Sequence, residues 1–156
     1  MLPASDASAC PCAGPATAVG AAPCLVLDTN IVLDLLIFQD PATATLKAAL
    51  AQGRLHWMAT AAMRDELARV LGYPYIVKSL QHHAIPAAQV LEGFDAQVRL
   101  VAAAPRASAV CKDPDDQKFI DLAVAHQALL LSKDKAVLCM KKRLLALEVK
   151  VDIAIK

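Results

Sequence analysis

Aromatic residues are scarce in this chain. Phe, Trp and Tyr make up 4% of its 156 residues, while hydrophobic residues as a whole reach 57%. The core is therefore expected to be aliphatic, built from Ala, Leu and Val, a mix that favours helices packed on a sheet. An excess of charge of one sign is missing too: 16 Lys and Arg stand against 15 Asp and Glu, for a formal net charge of +1. No global basic field draws such a chain onto nucleic acid, so any contact of that kind must come from local Lys and Arg or through a metal. No apolar run approaches the ~20 residues needed to span a bilayer, so no membrane partner is expected. The 5 cysteines lack the spacing of a disulfide framework, and an odd count is expected of a reduced, cytoplasmic protein. Cys10-Pro11-Cys12 supplies two soft ligands, but no fourth ligand lies near to close a structural zinc site.

The length suits one domain with a substantial core. The first 23 residues, rich in Ala, Pro, Ser, Gly and Cys, lack the basic start and Leu-rich middle of a secretory signal. They read as a flexible leader, or as a start codon placed too early, ahead of a domain over 24–156. Within that domain, residues 24–28 are expected to be a strand and 31–38 a helix or turn. A helix opens at Pro41 and runs to Gln52, with Gly53 as its stop. A short strand follows over 55–58, then a helix from the N-cap Thr60 to Leu71. Tyr73-Pro74-Tyr75 breaks the pattern. Helices over 76–83 and 86–97 lead to a strand over 98–102 and a loop over 105–112. A helix from Asp113 to Gln127, a strand at 129–131, a helix over 135–147 and a strand over 148–155 complete the chain. Strands alternating with helices predict an α/β fold of three layers, a central mainly parallel sheet flanked by helices.

What stands out is a strand-like run ending in a polar triplet, Cys24-Leu25-Val26-Leu27-Asp28-Thr29-Asn30. A similar run ends in Ser132-Lys133-Asp134. In a parallel sheet both acids emerge at the carboxyl edge, where such sheets bind ligands. Each could equally cap the helix that follows. Glu66 falls roughly 85° from the centre of the Met63-Leu67-Val70-Leu71 stripe and Asp65 roughly 175° away. Glu66 can thus reach a crevice beside the core, or pair on the surface with Arg64 or Arg69; Asp65 faces solvent. Asp113-Pro114-Asp115-Asp116 makes a good helix start, and Asp115 or Asp116 can project toward the inner face marked by Phe119, Leu122 and Ala123. Asp121 points outward. Carboxylates gathered this closely repel each other unless divalent cations neutralise them. His82-His83 reads as a solvated helix end, Trp57 and His126 as core, and Lys141-Lys142-Arg143 as a solvated face.

The segments LVLDTNIVL, MRDELARVL, CKDPDDQKFIDLAVAH and LLLSKDKAVL, in this order over about residues 24–147, resemble the PIN-domain family. The third segment is similar to the bacterial branch of toxins from toxin–antitoxin pairs. The resemblance implies acids gathered at the carboxyl edge to bind Mg2+ or Mn2+, and cleavage of single-stranded RNA. It implies Asp28, Glu66, Asp116 and Asp134 as catalytic metal ligands, with Asp115 and Asp113 as fallbacks for the third position and Asn30 and Ser132 in support. Lys133 stands where the family often has Gly, placed to crowd the site or to contact phosphate. An antitoxin protein and a second copy of the chain are the partners it implies. Two other readings stay open: a PIN-like RNA-binding module with little catalysis, and a phosphoacceptor receiver domain built on Asp28 alone.

Overall fold

The strand β1 (Cys24–Leu27) carries four consecutive buried side chains, as a strand covered on both faces must. In a computed structural model of the protein, which describes residues 23–154, it lies at the centre of a five-stranded parallel sheet. The other strands are β2 (His56–Ala59), β3 (Arg99–Leu100), β4 (Leu129–Leu131) and β5 (Val151–Asp152). Their order across the sheet is β3-β2-β1-β4-β5. Val26 pairs with Leu130 and Leu25 with Trp57. The chain moves outward from β1 to β2 and β3, then returns past β1 to β4. Strand order therefore reverses between β1 and β4, and a crevice opens outside their carboxyl ends.

Helices fill the connections: α1 (Thr29–Leu33), α2 (Ala44–Ala51), α3 (Ala61–Val70), α4 (Pro74–His82), α5 (Ala87–Gln97), α6 (Gln117–His126), α7 (Lys135–Leu138) and α8 (Lys141–Ala146). Crossovers between parallel strands are right-handed, so α1–α5 and α6–α8 cover opposite faces of the sheet, the expected three-layer α/β arrangement. The core is aliphatic, with Leu25, Ile120, Leu122, Leu130 and Leu131 fully buried. Each such Leu or Ile contributes about 1.5–3 kcal/mol of burial. Trp57 sits in this core and meets Phe94 edge-on at 5.3 Å.

Several elements differ from the sequence expectation. The segment after Asp28 is a helix, but α1 passes into a π-helical turn at Asp34–Phe38. The helix expected over 135–147 is two: a tight Met140 N–H to Val137 carbonyl bond (3.0 Å) ends α7 and turns the chain so that Met140 and Leu144 both reach the core. The strands expected over 98–102 and 148–155 shrink to two residues each, because β3 and β5 lie at the two ends of the sheet order and have one neighbour each to pair with. Tyr73-Pro74-Tyr75 does not separate helices so much as begin one: Pro74 occupies the first turn of α4, where its missing N–H costs nothing. Gly53 does end the α2 segment, at φ 71°, a conformation that suits glycine. His126 is half-buried rather than packed in the core. Cys24, expected to be reduced, is disulfide-bonded, whereas Cys111 and Cys139 are free thiols. Residues 1–22, with Cys10 and Cys12, lie outside the described residues. Among the described residues no helix is long and apolar enough to cross a membrane.

Candidate active site

The ends of β1 and β4 are stitched together at the crevice. The Asp28 N–H donates to the Leu131 carbonyl at 3.1 Å, so the ladder runs one residue past β1. Asp28 Oδ1 accepts from the Ile31 N–H at 3.0 Å and caps α1, while Oδ2 accepts from the Ser132 hydroxyl. The same Ser132 oxygen accepts from the Asp134 N–H at 3.0 Å, and Asp134 Oδ1 caps α7 by accepting from the Ala136 N–H at 2.8 Å. Capping and site-building are therefore not alternatives for these acids. One oxygen locks the side chain onto a helix start, and the carboxylate as a whole is fixed at the sheet edge.

The Asp113-Pro114-Asp115-Asp116 segment enters from the other side. Asp113 Oδ1 accepts from the Asp115 N–H at 3.0 Å and caps a 3-10 turn at Pro114–Asp116 that runs straight into α6. This turn delivers Asp116 to the crevice floor, where it is buried. Asp113, Asp116 and Asp134 each bring a carboxylate oxygen to within 4.8 Å of the other two. Asp116 Oδ2 is buried with no hydrogen-bond partner among the described residues. Burial, together with the hydrogen bond and charge of Asp134 and the charges of Asp113 and Asp28, pushes the Asp116 carboxyl up to about 7. Burial also raises the Asp28 carboxyl, against the pull of its bonds from Ser132 and Ile31.

A cleft of about 220 Å3 opens beside this group, lined by Asp28, Asn30, Glu66, Asp115 and Asp116 among others. Asp116 thus belongs both to the tight acid trio and to the cleft. Asp113, only a fallback from sequence, stands inside the trio, whereas the other fallback, Asp115, is exposed on the cleft rim. Asp28 lies beside the trio, within electrostatic reach of Asp116 and Asp134. Glu66 is half-buried across the cleft, but its partner is neither Arg64 nor Arg69. It accepts from the Thr29 hydroxyl and from the Lys118 ammonium. Arg64 pairs instead with the exposed Asp95. Asp65 faces solvent as the helical wheel requires. Ser132 bonds Asp28 directly, while Asn30 offers its backbone N–H to Asp28 and lines the cleft.

Three residues escaped the sequence reading. Lys118 bridges α6 to Glu66 and also donates to the Asp115 carbonyl at 2.6 Å; its position one turn beyond the acidic turn was the available signal. Thr29 holds Glu66 from the polar triplet itself. Gln117 is buried, accepts from the Cys111 N–H at 2.6 Å and donates to the Ala109 carbonyl at 3.0 Å and to Asp121 at 2.8 Å. Asp121 is accordingly not outward-facing: it is half-buried and also accepts from the Ala107 N–H at 2.8 Å. Together Gln117 and Asp121 anchor the irregular segment that leads into Asp113. Lys133 turns away from the crevice and pairs with the buried Asp34.

The donor set is all oxygen, its centre is a buried carboxylate oxygen without a partner, and no Lys or Arg pairs with Asp113, Asp116 or Asp134 among the described residues. These groups fit a hard divalent cation and suit a monovalent or thiophilic one poorly. Comparison with curated proteins found no match. The family model described as PIN domain matches residues 24–136, and proteins of that family are generally metal-dependent nucleases. With its parallel sheet, its acids at the carboxyl edge and this match over most of its length, the chain belongs to the PIN-domain family.

Proposed function

We propose that this protein is an endoribonuclease that hydrolyses phosphodiester bonds of single-stranded RNA with Mg2+ or Mn2+, and that it acts in the cytoplasm as the toxin of a bacterial toxin–antitoxin pair. The observation that carries the reading is the unpartnered Asp116 oxygen set between Asp113 and Asp134. Three carboxylates so placed are costly to ionise together, and the arrangement is useful to a protein that meets a cation there. Asp113, Asp116 and Asp134 would hold the ion, with Asp28 beside them. When bound, a divalent cation would neutralise phosphate charge and make water a better nucleophile.

The chain's own groups do the rest. Ser132 and the Ile31 N–H fix both oxygens of Asp28, so its carboxylate keeps one orientation toward the crevice and can accept a hydrogen bond from an attacking water. The Lys118 ammonium compensates Glu66, which lines the cleft. Glu66 joins the reaction only if that ion pair opens when a cation and substrate enter. This favours one second reading, an RNA-binding PIN domain with little catalysis, in which Glu66 stays with Lys118. The receiver-domain alternative is set aside by the family match. An antitoxin covering the acidic cleft and a second copy of this chain are the protein partners we propose.

The test compares wild type with Asp28→Asn and Asp116→Asn on single-stranded RNA, with Mg2+, Mn2+ or a chelator. The proposal expects metal-dependent cleavage that falls by at least 100-fold in each variant, the order of loss seen when a group that stabilises a transition state is removed. Cleavage that survives both substitutions contradicts it.

A further inference from the structure

Both tyrosines of this chain, Tyr73 and Tyr75, line the acidic cleft. In a protein with so few aromatic residues, that placement is not what packing requires. Trp57, Phe94 and Phe119 are buried and Phe38, 37% exposed, lies away from the cleft, whereas Tyr73 is 39% and Tyr75 65% exposed on it. Neither phenol hydroxyl makes a hydrogen bond among the described residues, so the usual polar reason for holding a tyrosine in place is missing. The backbone that carries the rings is nevertheless tied into a helix start. Pro74 stands between them in the first turn of α4, and the Tyr73 carbonyl accepts from the N–H groups of Ile76 and Val77 at 2.9 and 2.8 Å.

Resting on the nuclease reading above, we propose that Tyr73 and Tyr75 form a stacking platform at the mouth of the cleft for an unpaired base beside the phosphate to be cut, with Arg69 meeting a neighbouring phosphate. The ring centroids lie 6.2 Å apart with planes tilted by 43°. At that spacing the rings already touch each other, so a base lies on the outer face of Tyr75 rather than between the two. Arg69 lines the same cleft, is exposed, and makes no salt bridge among the described residues. The platform also answers a problem posed by the charge balance. A chain of net charge +1 gains little from displacing counterions, and its cleft floor is acidic. Uncharged rings hold a single strand without a basic field, through a face that every base possesses. A duplex offers no such face, so the platform selects unpaired strands.

The experiment measures binding of a fluorescent single-stranded RNA to metal-free protein by anisotropy, alongside cleavage with Mn2+. Tyr75→Ala is expected to weaken binding about tenfold, Tyr75→Phe to restore it, and a strand carrying an abasic nucleotide at the stacked position to bind wild type and Tyr75→Ala alike. Single-stranded DNA should show the same Tyr75 dependence, because a ring does not read the 2′-hydroxyl. RNA duplex binding should be equal in wild type and variant. Melting temperature checks that Tyr75→Ala folds, as its exposure leads us to expect. Equal binding of wild type and Tyr75→Ala to single strands overturns the platform, as does an equal loss on duplex. The two readings fail separately. Cleavage without Tyr75 dependence removes the platform and leaves the nuclease; Tyr75-dependent binding without cleavage does the reverse. A wild type that binds no single strand overturns the platform.

Discussion

The Ser132 hydroxyl donates to the Asp28 carboxylate across a sequence separation of 104 residues. It is one bond, but it joins the ends of the two central strands and, through the Asp134 N–H that Ser132 accepts, a second acid. Ser132 is fully buried, so no water stands ready to replace it. Ser132→Ala should lower stability by roughly 1–3 kcal/mol, the range for leaving a buried hydrogen-bonding group without its partner. It should also weaken Mn2+ binding, because Asp28 and Asp134 lose their shared anchor. Urea denaturation and calorimetric titration measure the two effects. A loss below about 0.5 kcal/mol, within the range of an ordinary surface substitution, would show that the bond contributes nothing.

Asp116 makes the stability of the metal-free protein depend on pH. Its carboxyl is raised to about 7 in the folded state from an ordinary 3.8. Between those values the folded chain holds a proton that the unfolded chain has released, so unfolding becomes easier as pH rises. The melting temperature with chelator should therefore fall from about pH 4 to pH 7 and then level off. Asp28, also raised, acts in the same direction. Asp95, lowered by Arg64, works in the opposite sense but titrates below this window. Asp116→Asn should flatten most of the slope and raise the melting temperature at pH 7. A wild-type curve that climbs over this range runs against the described environment of Asp116.

Lys118 holds Glu66 in its present position, with the two side chains 27% and 15% exposed. Replacing Lys118 by Met removes the positive charge that compensates Glu66 and leaves Glu66 bonded to Thr29 alone. Mn2+ should then bind a few-fold more tightly, consistent with roughly 0.5–1 kcal/mol for a partly exposed charge pair. RNA should bind more weakly. Unchanged Mn2+ affinity in a calorimetric titration would indicate that the ammonium is screened from the cation.

Gln117 supports the loop that presents Asp113. Gln117→Ala would strand the Cys111 N–H and the Ala109 carbonyl, both now paired with the buried amide. The expected cost is roughly 2 kcal/mol, with a loss of Mn2+ affinity from a loosened Asp113. Chemical denaturation would contradict this role if it found the variant as stable as wild type.

Much of this architecture was legible in the residues. The apolar run before Asp28, the Leu129–Leu131 run and the helix signals at Thr60 and Asp113 each set an element in place, and the elements together set the sheet. The edge strands were overdrawn because apolar alternation says nothing of how many partners a strand has. The helical wheel placed Glu66 on the border of its stripe but could not name Lys118, since pairs between helices depend on how α3 and α6 pack. A regular helix start does not separate Asp115 from Asp116. The 3-10 turn rotates Asp116 inward and leaves Asp115 on the rim. Asp113 reads from sequence as a helix cap, a role it fills with one oxygen while the carboxylate still reaches the trio.

The most direct measurement is the thermal shift caused by Mn2+ at pH 7 in wild type and in Asp116→Asn. If Asp113, Asp116 and Asp134 gather to hold a divalent cation, Mn2+ at a hundred times its dissociation constant should stabilise wild type by about 2.7 kcal/mol and leave Asp116→Asn nearly unmoved. An equal rise in both proteins would mean that the ion binds elsewhere, and the account of this cleft as a metal-dependent nuclease site would fail with it.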